Sequence, residues 1–348
     1  MFFKHILSLK VLIALLLFFG MISLFIGVIS INVKDILNLN STQLEIITLT
    51  RIPRLIAILL TGMSLSICGL IMQQLTQNKF VSPTTAGTMD CAKFGILISL
   101  IFFTGASFFT QAIIASIFAL LGSFIFIQIL RKIKLKDVIF VPLIGLMFGG
   151  IISAITTFFA YALNYIQNIQ GWLQGSMANV MQGNYELLYI SLPHIQGWLQ
   201  GSMANVMQGN YELLYISLPL FILAYFLAHK ITIVGMGEDI ALNLGISYNG
   251  ILFLGLMIVS IITSLVIVSV GIIPFLGLII PNLVALYLGD NLRKNLIYIA
   301  LCGALFLLVC DIISRLVIFP FEMPLSITTG VLGSLIFIFL LLKRKVYA

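Results

Sequence analysis

The sequence predicts an all-α integral membrane protein of about ten transmembrane helices. Three observations predict it. Of the 348 residues, 61% are hydrophobic and only 8% charged, far from the balance of a soluble domain. Ten apolar stretches approach the roughly 20 residues that a membrane-spanning helix needs. The Lys and Arg residues segregate between the two sides that these spans define.

The ten stretches lie near 11–32, 55–75, 94–108, 111–130, 138–162, 213–229, 251–272, 274–289, 295–314 and 324–342. The short ones are expected to be tilted, broken or shielded by neighbours. Lys4 and Lys10 precede the first, as in a signal peptide, but its apolar run is long and no A-x-A site follows, so it reads as an uncleaved span. Ten spans place both termini on one side. With the termini in the cytoplasm, thirteen of the 18 basic residues fall inside, while Lys34, Arg51, Arg54 and Arg315 fall outside and Lys93 fits neither side. The net charge of +7 is scattered along the chain, so it points to the membrane and away from nucleic acid. Cys68, Cys91, Cys302 and Cys310 lack C-x-x-C spacing and read as small buried hydrophobes.

Between the fifth and sixth spans, residues 168–193 and 194–219 form a tandem repeat of 26 residues whose copies differ only at Asn168 and His194. The apolar part of the first copy, Leu187 to Pro193, rises only about 10 Å as a helix and cannot cross the membrane alone. In the second copy the same letters continue into "LFILAYFLAHK" and become the sixth span. Two nearly identical polar units do not make a solenoid. The first copy therefore reads as extra external material from a duplication, within a single transmembrane domain spanning 1–348.

No G-x-x-x-x-G-K-[ST] phosphate cradle occurs, so the chain is not expected to hydrolyse nucleotide, and no H-E-x-x-H or similar cluster suggests an enzyme. Charges inside spans are few, which argues against an ion-coupled secondary transporter. Asp311 is the main candidate, and it lies four residues before Arg315, on the same helix face, in position to pair with it.

Three segments carry functional signals. In "GMGEDIALNLGIS", Gly235 and Gly237 break a helix, Glu238 and Asp239 suit the start of a short one, and Gly245 suits its end. Ile240, Ala241 and Leu244 give it an apolar face for a soluble partner. In "GIIPFLGLIIPNLVALYLGDNLRK", Pro274 and Pro281 interrupt an apolar run, and Gly271 and Gly277 permit kinks or close approach. "NKFVSPTTAGTMDCAKFG", from Asn78 to Gly95, is a second interruption in the first half. Paired interruptions of this kind point to a translocation path.

Four ordered blocks, "TLTRIPRLIAILLTGMSLSICGLIMQQLTQNKFVSPTTAG", "GEDIALNLG", "GIIPFLGLIIPN" and "DIISRLVIFPFEMPLSITTGVLG", resemble the signature blocks of FecCD-type permeases. These are membrane subunits of ABC importers for siderophore-bound iron, haem and cobalamin. The resemblance implies the type II ABC importer architecture in a bacterial cytoplasmic membrane. It implies a second permease subunit (the same or related), two cytoplasmic ATPases that supply ATP hydrolysis, and an extracytoplasmic siderophore-binding protein; it implies no cofactor and no resident metal. By the same resemblance, Arg51, Arg54 and Arg315 match arginines that dock the binding protein, and Gly237 to Gly245 match the coupling helix seated in the ATPase. Asn78, Pro83, Gly87, Pro274, Gly277, Pro281 and Asn282 fall on the broken helices of the pathway. Asn282 departs from the His common in the "GLIxP" block, as in a subgroup that imports catecholate or mixed catecholate–citrate siderophores. The expected function is import of ferric siderophore. A haem or cobalamin permease is the alternative within the family, and an ion-coupled secondary transporter the alternative outside it.

Overall fold

A computed structural model describes residues 8–26, 47–103, 107–133, 140–163, 212–289, 291–317 and 323–344. These residues form eleven α-helices and no strand. They are α1 (Leu9–Phe25), α2 (Ile52–Leu75), α3 (Thr88–Phe102), α4 (Phe108–Lys132), α5 (Phe140–Ala162), α6 (Ser217–Val234), α7 (Glu238–Asn243), α8 (Tyr248–Ser269), α9 (Leu276–Leu288), α10 (Leu292–Leu316) and α11 (Leu325–Arg344). Ten of them fall on the ten predicted spans, and α7 falls on the predicted short helix. The repeat from 168 through 211 lies outside the described residues.

Local signals set the boundaries. Pro53 occupies the first turn of α2, where a missing N–H costs nothing. The Ser107 hydroxyl accepts from the Thr110 N–H at the start of α4, and Asn291 Oδ1 accepts from the Lys294 N–H at the start of α10. α3 starts six residues before the predicted stretch (at 88 against 94) because Asp90 and Lys93, which dilute the apolar run, pair with each other on the helix.

Among the described residues, six helical segments are long and apolar enough to cross a membrane, including α2, α4, α5, α8 and α10. The sixth is α6 extended by the 3₁₀ turn Glu212–Ile216 that precedes it. α1 and α9 are shorter apolar helices, and α3 has 15 residues. The hydrophobic span of α2 is 78% buried, as is that of α8, whereas only 11% of α5 is buried. α2 is therefore the central post, packed by α6, α8, α9 and α10, while α5 leans on α3 at the periphery.

Small residues make this packing possible. A side chain at Gly62 would strike the backbone of Gly303 on α10, and one at Gly69 would overlap Gly277 on α9. Close backbone approach through small residues is the usual means by which helices associate in a bilayer, where apolar surface alone gives no preference. The charged ends are ordered consistently. Arg51, Arg54 and Arg315 meet at one end of the bundle, and α7 lies at the other; they are called outer and inner here, after the distribution of basic residues.

Candidate functional site

At the outer end, Asp311 is fully buried and joins two guanidinium groups. Arg54 reaches Asp311 Oδ1 through Nη2 at 2.8 Å and Nε at 3.2 Å, and Arg315 Nη2 donates to Asp311 Oδ2. The Asp311–Arg315 pairing expected from their spacing is present, with Arg54 as a further member. Arg315 also donates to the Ser23 and Ile26 carbonyls at 3.1 and 3.0 Å and to the Ser23 hydroxyl at 2.6 Å. Arg51 donates to the Leu24 carbonyl. The last carbonyls of a helix lack partners within it and carry partial negative charge. Here guanidinium groups on α10 and at the start of α2 serve the end of α1. Arg51 and Arg315 are buried, and Arg54 is the most open of the three. Burial and the like charge of Arg315 lower the Arg51 guanidinium from its ordinary value.

The two interrupted regions are brought together. Residues 76–87 form a non-helical passage from α2 to α3. The Asn78 side chain accepts from the Phe80 N–H at 2.9 Å, and Thr85 Oγ1 accepts from the Ser82 N–H at 2.8 Å, so side chains supply bonds that a helix would have supplied. Pro83 is buried, and Gly87, with φ 74°, begins α3 against Gly149 of α5. In the second half, residues 270–275 are also non-helical, and Phe275 takes a left-handed φ of 65° at the start of α9. Pro274 precedes it and faces Gly330 of α11.

Pro281 lies inside α9 and has no N–H for the Gly277 carbonyl. Gln73 Nε2 on α2 approaches that carbonyl at 3.4 Å. Asn282 Nδ2 donates to the Leu278 carbonyl and to the Lys79 carbonyl, each at 2.7 Å. Asn282 thus ties α9 to the passage after α2, linking the interruptions of the two halves. A cavity of about 290 Å³ lies beside them, bordered by Gln73, Asn78, Lys79 and Pro281 and by Gly235 and Met236 of the inner turn.

At the inner end, Gly237 adopts φ 121° and leads into α7, where Glu238 and Asp239 occupy the first turn. The helix closes with Ile246 N–H on the Ala241 carbonyl and Gly245 N–H on the Leu242 carbonyl, both at 2.9 Å, with Gly245 at φ 72°. Ala241 is fully buried against the bundle, while Ile240 and Leu244 turn outward. Leu242 and Met236 join them on the exposed side, an extension that the alternation of residues in the sequence did not suggest. Large apolar groups are thus clustered on the exposed side beside two carboxylates at the helix start.

Among the described residues, six helices long and apolar enough to cross a membrane, with paired helix interruptions between them, are the frame of a multi-pass membrane permease. The chain belongs to the FecCD transport family, whose profile matches residues 15–195 and 187–343. Among its relatives is the petrobactin import system permease protein of Bacillus subtilis, 48% identical over 98% of this chain and 100% of that one. The ferric-anguibactin transport system permease protein of Vibrio anguillarum is 40% identical over 92% of this chain and 94% of its own. A solved metal-chelate type ABC transporter in an inward-facing conformation superposes with a TM-score of 0.75 at 25% identity, covering 95% of this chain and 97% of that one.

Proposed function

We propose that the protein is the membrane-spanning subunit of an ATP-driven importer of ferric siderophores. The observation that carries the cargo is its full-length likeness to permeases named for petrobactin and anguibactin. Asn282, in place of the common His, favours siderophores of catecholate type. The chain supplies the passage and its coupling, and cytoplasmic ATPases hydrolyse ATP. The exposed Met236, Ile240, Leu242 and Leu244 around α7 support docking of such an ATPase on the inner face. A second permease subunit, the same chain or a relative, completes the passage, and both termini lie in the cytoplasm.

An extracytoplasmic binding protein delivers the chelate at the arginine end. The Arg54–Asp311–Arg315 cluster supports this as a positively charged landing point, with Arg54 as the side chain nearest to solvent. Complementary charge at such a rim sets register and encounter rate more than affinity.

The experiment is uptake of radiolabelled iron by cells that lack their own permease and express this one with its ATPase and binding protein. Catecholate, hydroxamate and citrate siderophores are compared with haem and cobalamin. Uptake of ferric catecholates is expected. Uptake confined to haem or cobalamin would overturn the assignment.

A further inference from the structure

Lys93, which fits neither side of the membrane by the distribution of basic residues, lies 3.3 Å from Asp90 on α3, through Nζ and Oδ1. Their depth follows from two neighbours. Gly87, at the start of α3, packs against Gly149, the tenth of the 23 residues of α5. The Thr88 hydroxyl lies 2.8 Å from that of Ser123, the sixteenth of the 25 residues of the oppositely running α4. Both neighbours stand about 14 Å from the inner ends of their helices, near the middle of a hydrocarbon layer of roughly 30 Å. α3 therefore starts at mid-depth and carries the ion pair there.

A charged pair facing acyl chains at this depth is costly, and such groups face protein or a water-filled space. The Lys93 and Asp90 side chains nevertheless keep 18% and 21% of their surface exposed. Beside them α5 presents two consecutive glycines. A side chain at Gly149 would meet Asp90 Oδ2, and one at Gly150 would find no atom within 4 Å. Gly149 thus packs on the pair, and open space begins one residue further along α5, at Gly150.

We infer that the Asp90–Lys93 pair lines the aqueous passage at mid-membrane, and that the Lys93 ammonium is a specificity contact for the anionic oxygen donors of the passing chelate. The choice of chelate rests on the reading of the cargo as a ferric siderophore; the position of the pair in the passage does not. An ammonium has three donors, of which Asp90 takes one and the cargo others. Because Asp90 balances the charge, the contact is firm enough to admit an anion and weak enough to release it, as conduction requires. Gly149 lets α5 close directly on the pair, and the open space at Gly150 leaves room for a bulky chelate.

Two measurements on the full importer test this. Gly150→Cys is treated with a membrane-impermeant maleimide, with Met236→Cys at the exposed inner turn as the reference; the native cysteines are mostly buried. Labelling of Gly150→Cys within about tenfold of the reference rate is expected, since the thiolate that reacts forms only in contact with water. No labelling would overturn the placement in the passage, whatever the cargo. Lys93→Gln should raise KM for an anionic ferric siderophore about tenfold, the equivalent of one lost charge-assisted contact, while Lys93→Arg stays near the parent and basal ATP hydrolysis is unchanged. Equal KM in all three proteins, or loss of ATP hydrolysis and thermal stability in Lys93→Gln, would overturn the specificity role. A parent protein that carries only haem or cobalamin would overturn the cargo reading and leave the labelling result standing.

Discussion

Asp311 holds two arginines from different helices while being itself excluded from solvent. Removing the carboxylate takes from both guanidinium groups the counter-charge they share in the cluster. Breaking a buried pair by deleting one partner costs about 3–5 kcal/mol. Asp311→Ala is therefore expected to lower the melting temperature of the purified complex by several degrees, and melting at the parent temperature would show that the cluster is not structural. The spacing of Asp311 and Arg315 announced half of this arrangement. The other half was not legible, because Arg54 and the carbonyls of Ser23 and Ile26 reach the cluster only once α1, α2 and α10 are assembled. Asp90 escaped notice for a related reason. Its charge weakened the apolar signal of α3, and only the fold shows that Lys93 offsets it at mid-depth.

Among the elements, α7 shows how far a pattern read along the chain can go. Its start, its acidic first turn and its terminal Gly245 were all legible, since each depends on neighbours in sequence. The division of its apolar residues was not, because a six-residue helix has no face until it is laid on something. Ala241 turned inward, and Leu242 joined Ile240 and Leu244 outside. Two substitutions separate seating from docking. Leu242→Asp should reduce co-purification of the ATPase with the membrane complex and leave the melting temperature unchanged. Ala241→Glu should uncouple ATP hydrolysis from transport by lifting the helix from the bundle, since a carboxylate has no partner in that apolar seat. Normal coupled transport in Ala241→Glu would reject the role of α7.

For the whole molecule, ten helices lie where ten apolar runs predicted them, because hydropathy over some 20 residues is a strong signal in a bilayer. The packing order was beyond that signal. It depends on which small residues meet, such as Gly62 with Gly303, at separations no local pattern encodes. The tandem repeat is best read at this scale too. The family profile matches in two segments that overlap at 187–195, within the repeat, a pattern that supports one supernumerary unit. Deletion of 168–193 is expected to preserve membrane insertion and to equal or exceed the parent in transport; failure of the shortened chain to insert would make the extra unit part of the scaffold.

Gln73 and Pro281 belong to different halves of the chain, yet one answers the other. The proline withholds a hydrogen bond from the Gly277 carbonyl, and the glutamine amide approaches it. The same amide also reaches the neighbouring Leu278 carbonyl, at 3.5 Å. A lineage that exchanged Pro281 for alanine would regain the helical bond and free position 73 to drift, while one that first lost Gln73 would carry an unfilled carbonyl at membrane depth. The route between these sequences is directional, with position 281 changing before position 73, so the two sites should share a common evolutionary history.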